Sequence, residues 1–340
     1  MTDVAVAGSR TAWRGRLGTE PVAARPPLDA RRALQLGLAA IWLLDGVLQY
    51  QGFMFTNGAN GFSGMLAGTA AGNPAVIAKP ITWDANLVDH HIVLLNAIFA
   101  TIQLLLGLGI AFRPTVRVAL AASILWALGV WWFGEGLGGI LNGGASPLNG
   151  APGAVILYAL LAVLLWPVDR EVTGHFIAAR AVGAQVARAL WAVLWLSLAY
   201  FALTPDNRAP QGVNGMIAGM ESGEPVWLQD LMKGAASLTA NQGLATSVVL
   251  GIALVLIAVG VYLPATIAKA TLVLAIVVAA LIWVFAQALG GILAGGATDV
   301  NSGPLLALLA LAYWPLRSMA TAPPAVPAVS EQPMASEQEA

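Results

Sequence analysis

The stretch Gly-Leu-Gly-Gly-Ile-Leu-Asn-Gly-Gly-Ala-Ser-Pro-Leu-Asn-Gly-Ala-Pro, from Gly136 to Pro152, returns near the end of the chain. There it reads Ala-Leu-Gly-Gly-Ile-Leu-Ala-Gly-Gly-Ala-Thr-Asp-Val-Asn-Ser-Gly-Pro, from Ala288 to Pro304, at an offset of 152 residues without a gap. A second pair agrees: Gly61 to Gly68, followed by Gly72 and Pro74, matches Gly212 to Gly219, followed by Gly223 and Pro225, at an offset of 151. Self-similarity at a fixed period is the signature of duplicated architecture, so the chain reads as a tandem repeat.

Working outward, charged residues make up 10% of the 340 residues and hydrophobic ones 58%, and the mean hydropathy is +0.77. Ordinary soluble domains carry roughly 25% charged residues, so this composition is that of an integral membrane protein with the lipid bilayer as its partner. A net charge of -1 offers no clustered basic surface for nucleic acid, which is excluded as a partner. Cysteine is absent, which excludes disulfides, thiol relays, Cys-ligated clusters and covalent c-type haem.

Apolar runs near 33–51, 91–112, 116–134, 151–167, 189–204, 243–263, 266–287 and 302–316 each fit a span of about 20 residues. The expectation is an all-α integral membrane protein of eight transmembrane helices in two parallel four-helix repeats, 32–168 and 189–317. A cytoplasmic linker, 169–188, joins them, and cytoplasmic disordered tails, 1–31 and 318–340, flank them. With the N-terminus inside, Arg10, Arg14, Arg16, Arg25, Arg31, Arg32, Arg113, Arg117, Arg170, Arg180, Arg188, Lys269 and Arg317 face the cytoplasm. Only Lys79, Arg208 and Lys233 lie outside, which predicts a cell membrane protein with both termini cytoplasmic.

Two connections per repeat then face outward, about 52–90 with 206–242 and 135–150 with 288–301. The first pair predicts a short helix around Met65, Leu66 and Thr69. The second pair is Gly-rich and precedes a short helix. Paired Gly-interrupted segments point to a binding site within the membrane, and equally suit close helix packing through small residues. Asn149 and Asn301 are expected to cap the helices after Pro152 and Pro304, and the Asp299-Val300-Asn301 turn lacks the distal Glu of a calcium loop.

Chemistry concentrates in the first repeat. Asp45 lies inside Trp-Leu-Leu-Asp-Gly-Val-Leu, where an ionised carboxylate costs about 2.5–3.5 kcal/mol and needs a partner or a proton. Its counterpart, aligning Trp42 with Trp195, is Leu198. Glu135 aligns with Gln287, and His90 and His91 align with Asn241 and Gln242. Glu to Gln keeps size and hydrogen bonding while deleting titration, so Asp45, Glu135 and His90 are the candidate proton-handling residues. Trp131 and Trp132 sit where an outer aromatic belt would, and with Trp126 and Phe133 they also offer a flat wall to a ring-shaped ligand. Gly138 and Gly139 complete the candidate binding set. No metal site is expected, because sequential histidines on a helix point about 100° apart.

The pattern of Gly37 and Asp45-Gly46 in the first helix, Gly61 to Gly68 with Pro74 in the outer segment, and Gly107-Leu108-Gly109 before Arg113 resembles the DoxX and DoxD-like superfamily of four-helix membrane proteins. The resemblance implies a quinone cofactor, quinone-dependent redox chemistry and neighbouring membrane redox subunits. Two functions fit these expectations, a quinone-linked redox component and a transporter of a cation or small solute. A non-catalytic assembly subunit is a third.

Overall fold

The structure is a computed structural model that describes residues 29–170 and 175–316. The two tails, apart from residues 29–31, lie outside the described residues, as do residues 171–174 and Arg317. Within the described residues every regular element is a helix. In chain order these are α1 (Ala30–Leu48), α2 (Phe62–Gly68), α3 (Ala75–His90), α4 (Ile92–Ala111), α5 (Val116–Phe133), α6 (Ala154–Leu164) and α7 (Ile177–Val182). The second half holds α8 (Ala184–Ala202), α9 (Pro205–Arg208), α10 (Gly212–Gly219), α11 (Val226–Thr239), α12 (Gly243–Gly260), α13 (Ala265–Leu281) and α14 (Ser302–Ala312).

Five helices are long and apolar enough to cross a membrane: Ile92–Ala111, Arg113–Phe133, Ala184–Ala202, Gly243–Gly260 and Ala265–Ala286. The chain is a membrane-embedded helical protein. α1 is 19 residues long but carries Arg31, Arg32 and Asp45. α6 and α14 have 11 residues each, roughly 16 Å of helix at about 1.5 Å per residue, half of the ~30 Å of bilayer hydrocarbon. These two short helices are among the most apolar in the chain, and both are largely buried by their neighbours.

Packing follows one pattern in each half: α1 lies against α4 and α8 against α12, α5 against α6 and α13 against α14, α2 against α3 and α10 against α11. α6 also meets α14, so the two short helices form the seam between the halves. The outer faces of α4, α8 and α12 present Val93, Leu105, Val193, Tyr200, Val249 and Ile252, as lipid-facing helices do.

Several expectations change. The connections after the first helix of each half contain not only the short helices α2 and α10 but also the longer α3, of 16 residues, and α11, of 14. Each starts after a Pro, Pro74 or Pro225, whose fixed φ and missing N–H suit a helix entrance. In the 169–188 stretch, residues 171–174 lie outside the described residues, and the part from 175 onward packs on the helices. Phe176, Ile177, Ala178 and Ala179 are buried, the Phe176 ring stacks on Tyr313 at 5.3 Å, and α8 begins at Ala184. Arg31 belongs to α1 rather than to the tail, and its guanidinium is hydrogen-bonded to Asp169.

The gap-free offset also ends early. α6 and α14 start at Ala154 and Ser302, an offset of 148, and Trp166-Pro167 and Trp314-Pro315 keep that spacing. The chain of the first half therefore has four extra residues in this segment, which also contains a 3₁₀ turn at Pro147–Asn149. Asn149 closes that turn with Ser146 in a capping box rather than capping α6, whereas Asn301 does cap α14 by accepting from Ser302 N.

Candidate functional site

Each Gly-rich segment begins with four consecutive residues of positive φ. In the first they are Gly136, Leu137, Gly138 and Gly139, at φ 54°, 58°, 63° and 72°. In the second they are Ala288, Leu289, Gly290 and Gly291, at 48°, 55°, 79° and 72°. A left-handed residue with a side chain costs roughly 1–2 kcal/mol, so Leu137, Ala288 and Leu289 are held there by their surroundings. The tightest approach is at Gly138, where a Cβ would stand 2.1 Å from Pro152 O; at Gly290 the corresponding gap is 2.8 Å, to Val300 O. Trp131 Nε1 donates to Pro152 O at 2.7 Å, and Trp283 Nε1 to Val300 O at 2.8 Å. The turn reverses the chain and folds it back onto the helix it has just left.

In the first half this reversal brings Glu135 over the start of α6. Its Oε1 accepts from Val155 N at 3.0 Å, while Oε2 is closed off from solvent and has no partner. Below it, Asp45 of α1 is 1% exposed; one oxygen accepts from Tyr158 Oη, the Val300 N–H supplies a further donor, and Oδ1 has no partner. The Tyr158 ring lies 4.2 Å from that of Trp42, whose Nε1 is spent on Ser123 Oγ at 3.0 Å.

The segment that supplies Val300 comes from the second half, and it brings Asp299. The Asp299 carboxylate is held by Asn301 N at 2.6 Å and Thr298 Oγ1 at 2.9 Å, and Gln49 Nε2 of α1 reaches Thr298 O at 3.4 Å. Three carboxylates and a phenol thus converge on one cavity of about 280 Å³, near the low end of small-molecule sites at roughly 300–1,000 Å³. Its apolar walls are Trp42, Phe62, Phe99, Trp126 and Phe133, and Asp84 of α3 is a fourth carboxylate lining it. No Lys, Arg or His is among the lining residues. Glu135 stands just beyond the end of α5 at Phe133; burial first and the neighbouring Asp299 second raise its pKa to about 8.

Of the residues singled out by sequence, the structure brings Asp45, Glu135, Trp126 and Phe133 to one cavity, and His90, Trp131, Trp132, Gly138 and Gly139 are not among its lining residues. His90 is exposed, with Nδ1 2.8 Å from Asn86 O one turn back, and His91 is exposed as well. Asp89 ties the 58–63 loop instead, accepting from Gly58 N at 2.8 Å and Ser63 Oγ at 2.6 Å; those two donors hold its pKa below the usual carboxylate value. Trp131 serves the chain reversal and Trp132 is 38% exposed at the surface, so of the four expected rings Trp126 and Phe133 line the cavity, joined by Trp42, Phe62 and Phe99. Gly138 and Gly139 shape the turn and do not line the cavity.

Sequence reasoning missed Tyr158 and Asp299. Both carried a signal: Tyr158 is the lone polar side chain in Ala154–Leu165, and Asp299 is the sole carboxylate between Asp230 and Glu331. At the equivalent place in the second half stand Leu198, Leu306 at the 148 offset, and Gln287, all buried, with Gln287 Nε2 donating to Ser302 Oγ at 2.8 Å. No family model matches the chain, and neither a curated protein nor a solved structure matches it.

Proposed function

We propose that this chain is an eight-span cell-membrane protein of two parallel four-helix repeats, both termini cytoplasmic, which carries a small solute or cation in exchange for protons at the acid-lined cavity. α1, α6 and α14 supply the three spans beyond the five long helices, the last two completed in depth by the Gly-rich segments that precede them. The reading is supported by the like-for-like packing of the two halves and by the left-handed turn at the same place in each. The observation that carries the function is the convergence of Asp45, Glu135 and Asp299 on one apolar-walled cavity with no cation among its lining residues. Carboxyl groups so placed hold protons until a ligand or water replaces them, which is the property a coupled carrier needs.

Protein reconstituted in vesicles with an imposed pH gradient should show solute-dependent proton movement, which Asp45→Asn should reduce at least tenfold while the protein stays folded. Undiminished flux in that variant would remove the function. For the topology, Ala294→Cys should react with an impermeant thiol reagent applied to whole cells, and Lys269→Cys should not.

A second reading, a quinone-linked redox component with neighbouring membrane redox subunits, is favoured by the flat rings of Trp42 and Trp126 and by the DoxX-like pattern. There the carboxyl groups would protonate the two ring oxygens as a partner subunit supplies electrons. Solvent extraction of the purified protein followed by mass spectrometry separates the two: stoichiometric quinone supports the second reading, and its absence the first.

A further inference from the structure

The hydrogen-bonding inventory of the cavity is one-sided. Among its lining residues, Asp45 Oδ1, Gln49 Oε1, Gln103 Oε1 and Glu135 Oε2 are buried acceptor atoms without a partner, and Trp126 Nε1 is the one such donor. The Gln49 amide is oriented by its own contact, since Nε2 faces Thr298 O and leaves Oε1 free. Buried polar atoms in native structures are nearly always paired, so unpaired atoms in a cavity describe what is to fill it. A quinone brings two carbonyl acceptors and no donor, so it would leave Gln49 Oε1 and Gln103 Oε1 unpaired. A ligand that brings several N–H donors, a positive charge and an apolar body matches the acceptors, the carboxylates and the rings together.

We infer that the cavity binds a lipophilic primary ammonium ion, its –NH₃⁺ among Asp45, Gln49 and Glu135 and its apolar body against Trp42, Phe99 and Trp126. This rests on the carrier reading above and names its substrate class. The groups facing the site are Asp45 from α1, Asp84 from α3, Glu135 after α5, Tyr158 from α6 and Asp299 from the second half. All are acids. Binding therefore proceeds as an exchange in which the ammonium enters and a carboxyl proton leaves to water, conserving charge with no oxidant or reductant. Both Asp299 oxygens are already held, by Asn301 N and Thr298 Oγ1, so Asp299 lines the site without being one of its open contacts.

The test uses the full chain in detergent or nanodiscs and isothermal titration calorimetry with three probes of similar size: phenethylammonium, phenethyl alcohol and a tailless benzoquinone. The ammonium should bind at least tenfold more tightly than the alcohol and displace the quinone. Repeating the titration in two buffers of different ionisation enthalpy should show roughly one proton released per ammonium bound and none for the alcohol, a measurement that needs no variant. Glu135→Gln should reduce the ammonium preference at least tenfold, and His90→Gln, outside the cavity, should leave it unchanged. Equal binding of ammonium and alcohol, tighter binding of the quinone, or no proton release overturns the ammonium assignment while leaving a ligand-binding cavity. Failure of all three probes to bind overturns the carrier reading itself.

Discussion

The end of α5 and the end of α13 are built alike and used differently. Both run into a left-handed turn, both tie a tryptophan to the returning strand of chain, and both place a long polar side chain, Glu135 or Gln287, over the first residues of a short apolar helix. At the first the surroundings are Asp45, Tyr158 and Asp299 around open space. At the second they are Leu198 and Leu306, packed shut, and Gln287 has a partner for its amide nitrogen in Ser302. The same backbone therefore makes either a cavity or a core, and a few side chains decide which.

The largest effect should separate two glycines of similar left-handed φ, Gly138 at 63° and Gly291 at 72°. Gly138→Ala pushes a methyl group to 2.1 Å from Pro152 O in addition to the left-handed strain, and should cost upwards of about 4 kcal/mol or prevent folding. Gly291→Ala meets nothing within 4 Å and should cost only the strain, about 1–2 kcal/mol. Thermal unfolding monitored by size-exclusion recovery reads both; similar losses would mean that close approach is not what the glycines provide.

Next, Leu198→Asp places the carboxylate of the first half into the packed site of the second. Without a tyrosine partner it should destabilise by about 3 kcal/mol, the cost of an uncompensated acid at depth, and a neutral result would mean that the second site is as open as the first.

The third comparison exchanges Glu135 and Gln287. Glu135→Gln keeps the acceptor for Val155 N and should hold stability within about 1 kcal/mol while stopping proton exchange. Gln287→Glu turns a donor into an acceptor facing Pro147 O at 3.4 Å and should cost about 1–3 kcal/mol. pH adds a signature. An acid whose pKa rises from 4.5 to about 8 on folding binds its proton more tightly in the native state, so stability is highest below the unfolded value and declines as pH rises through 8. Between pH 5 and 8 the melting temperature of the wild type should fall more steeply than that of Glu135→Gln.

The smallest effect on ligand binding belongs to Tyr158→Phe, which removes one donor from Asp45 and leaves the Val300 N–H in place. A loss of about 1–2 kcal/mol is expected, with ligand affinity altered by less than tenfold.

How far all this could be read from the sequence depended on the physics involved. Hydropathy over about 20 residues is a local property, and the five long helices fall where it places them. The glycine pattern was also local, and it marked the two chain reversals. What local reading lost were helices of mixed polarity: α3 contains Lys79, Asp84 and Asp89, and its Pro80 reads as a breaker, yet its buried face of Ile77, Ile81, Ala85 and Val88 keeps helical spacing. The candidate site was half legible. Asp45 stood out because it contradicts its apolar surroundings, and Glu135 because the other half has Gln287 in its place. Asp299 did not, because its role is created by the packing of one half on the other, roughly 250 residues from Asp45 along the chain, and no spacing rule spans that distance. His90 misled for the reverse reason, since a histidine at a helix end carries no sign of which way the next turn will face.

The Asp299 segment reaches α1 of the other half, and the Pro147–Asn149 turn packs on α8 in return. On the two-repeat reading, such reciprocal exchange means that a single unit could never have closed its own site. The ancestor would have worked as a pair of identical subunits lending each other a loop, with two equal cavities fixed by symmetry. On that reading, joining the units into one polypeptide would have removed that constraint, leaving one loop free to acquire an acid and the other to lengthen, so that one of two formerly identical sites could sharpen while the other filled.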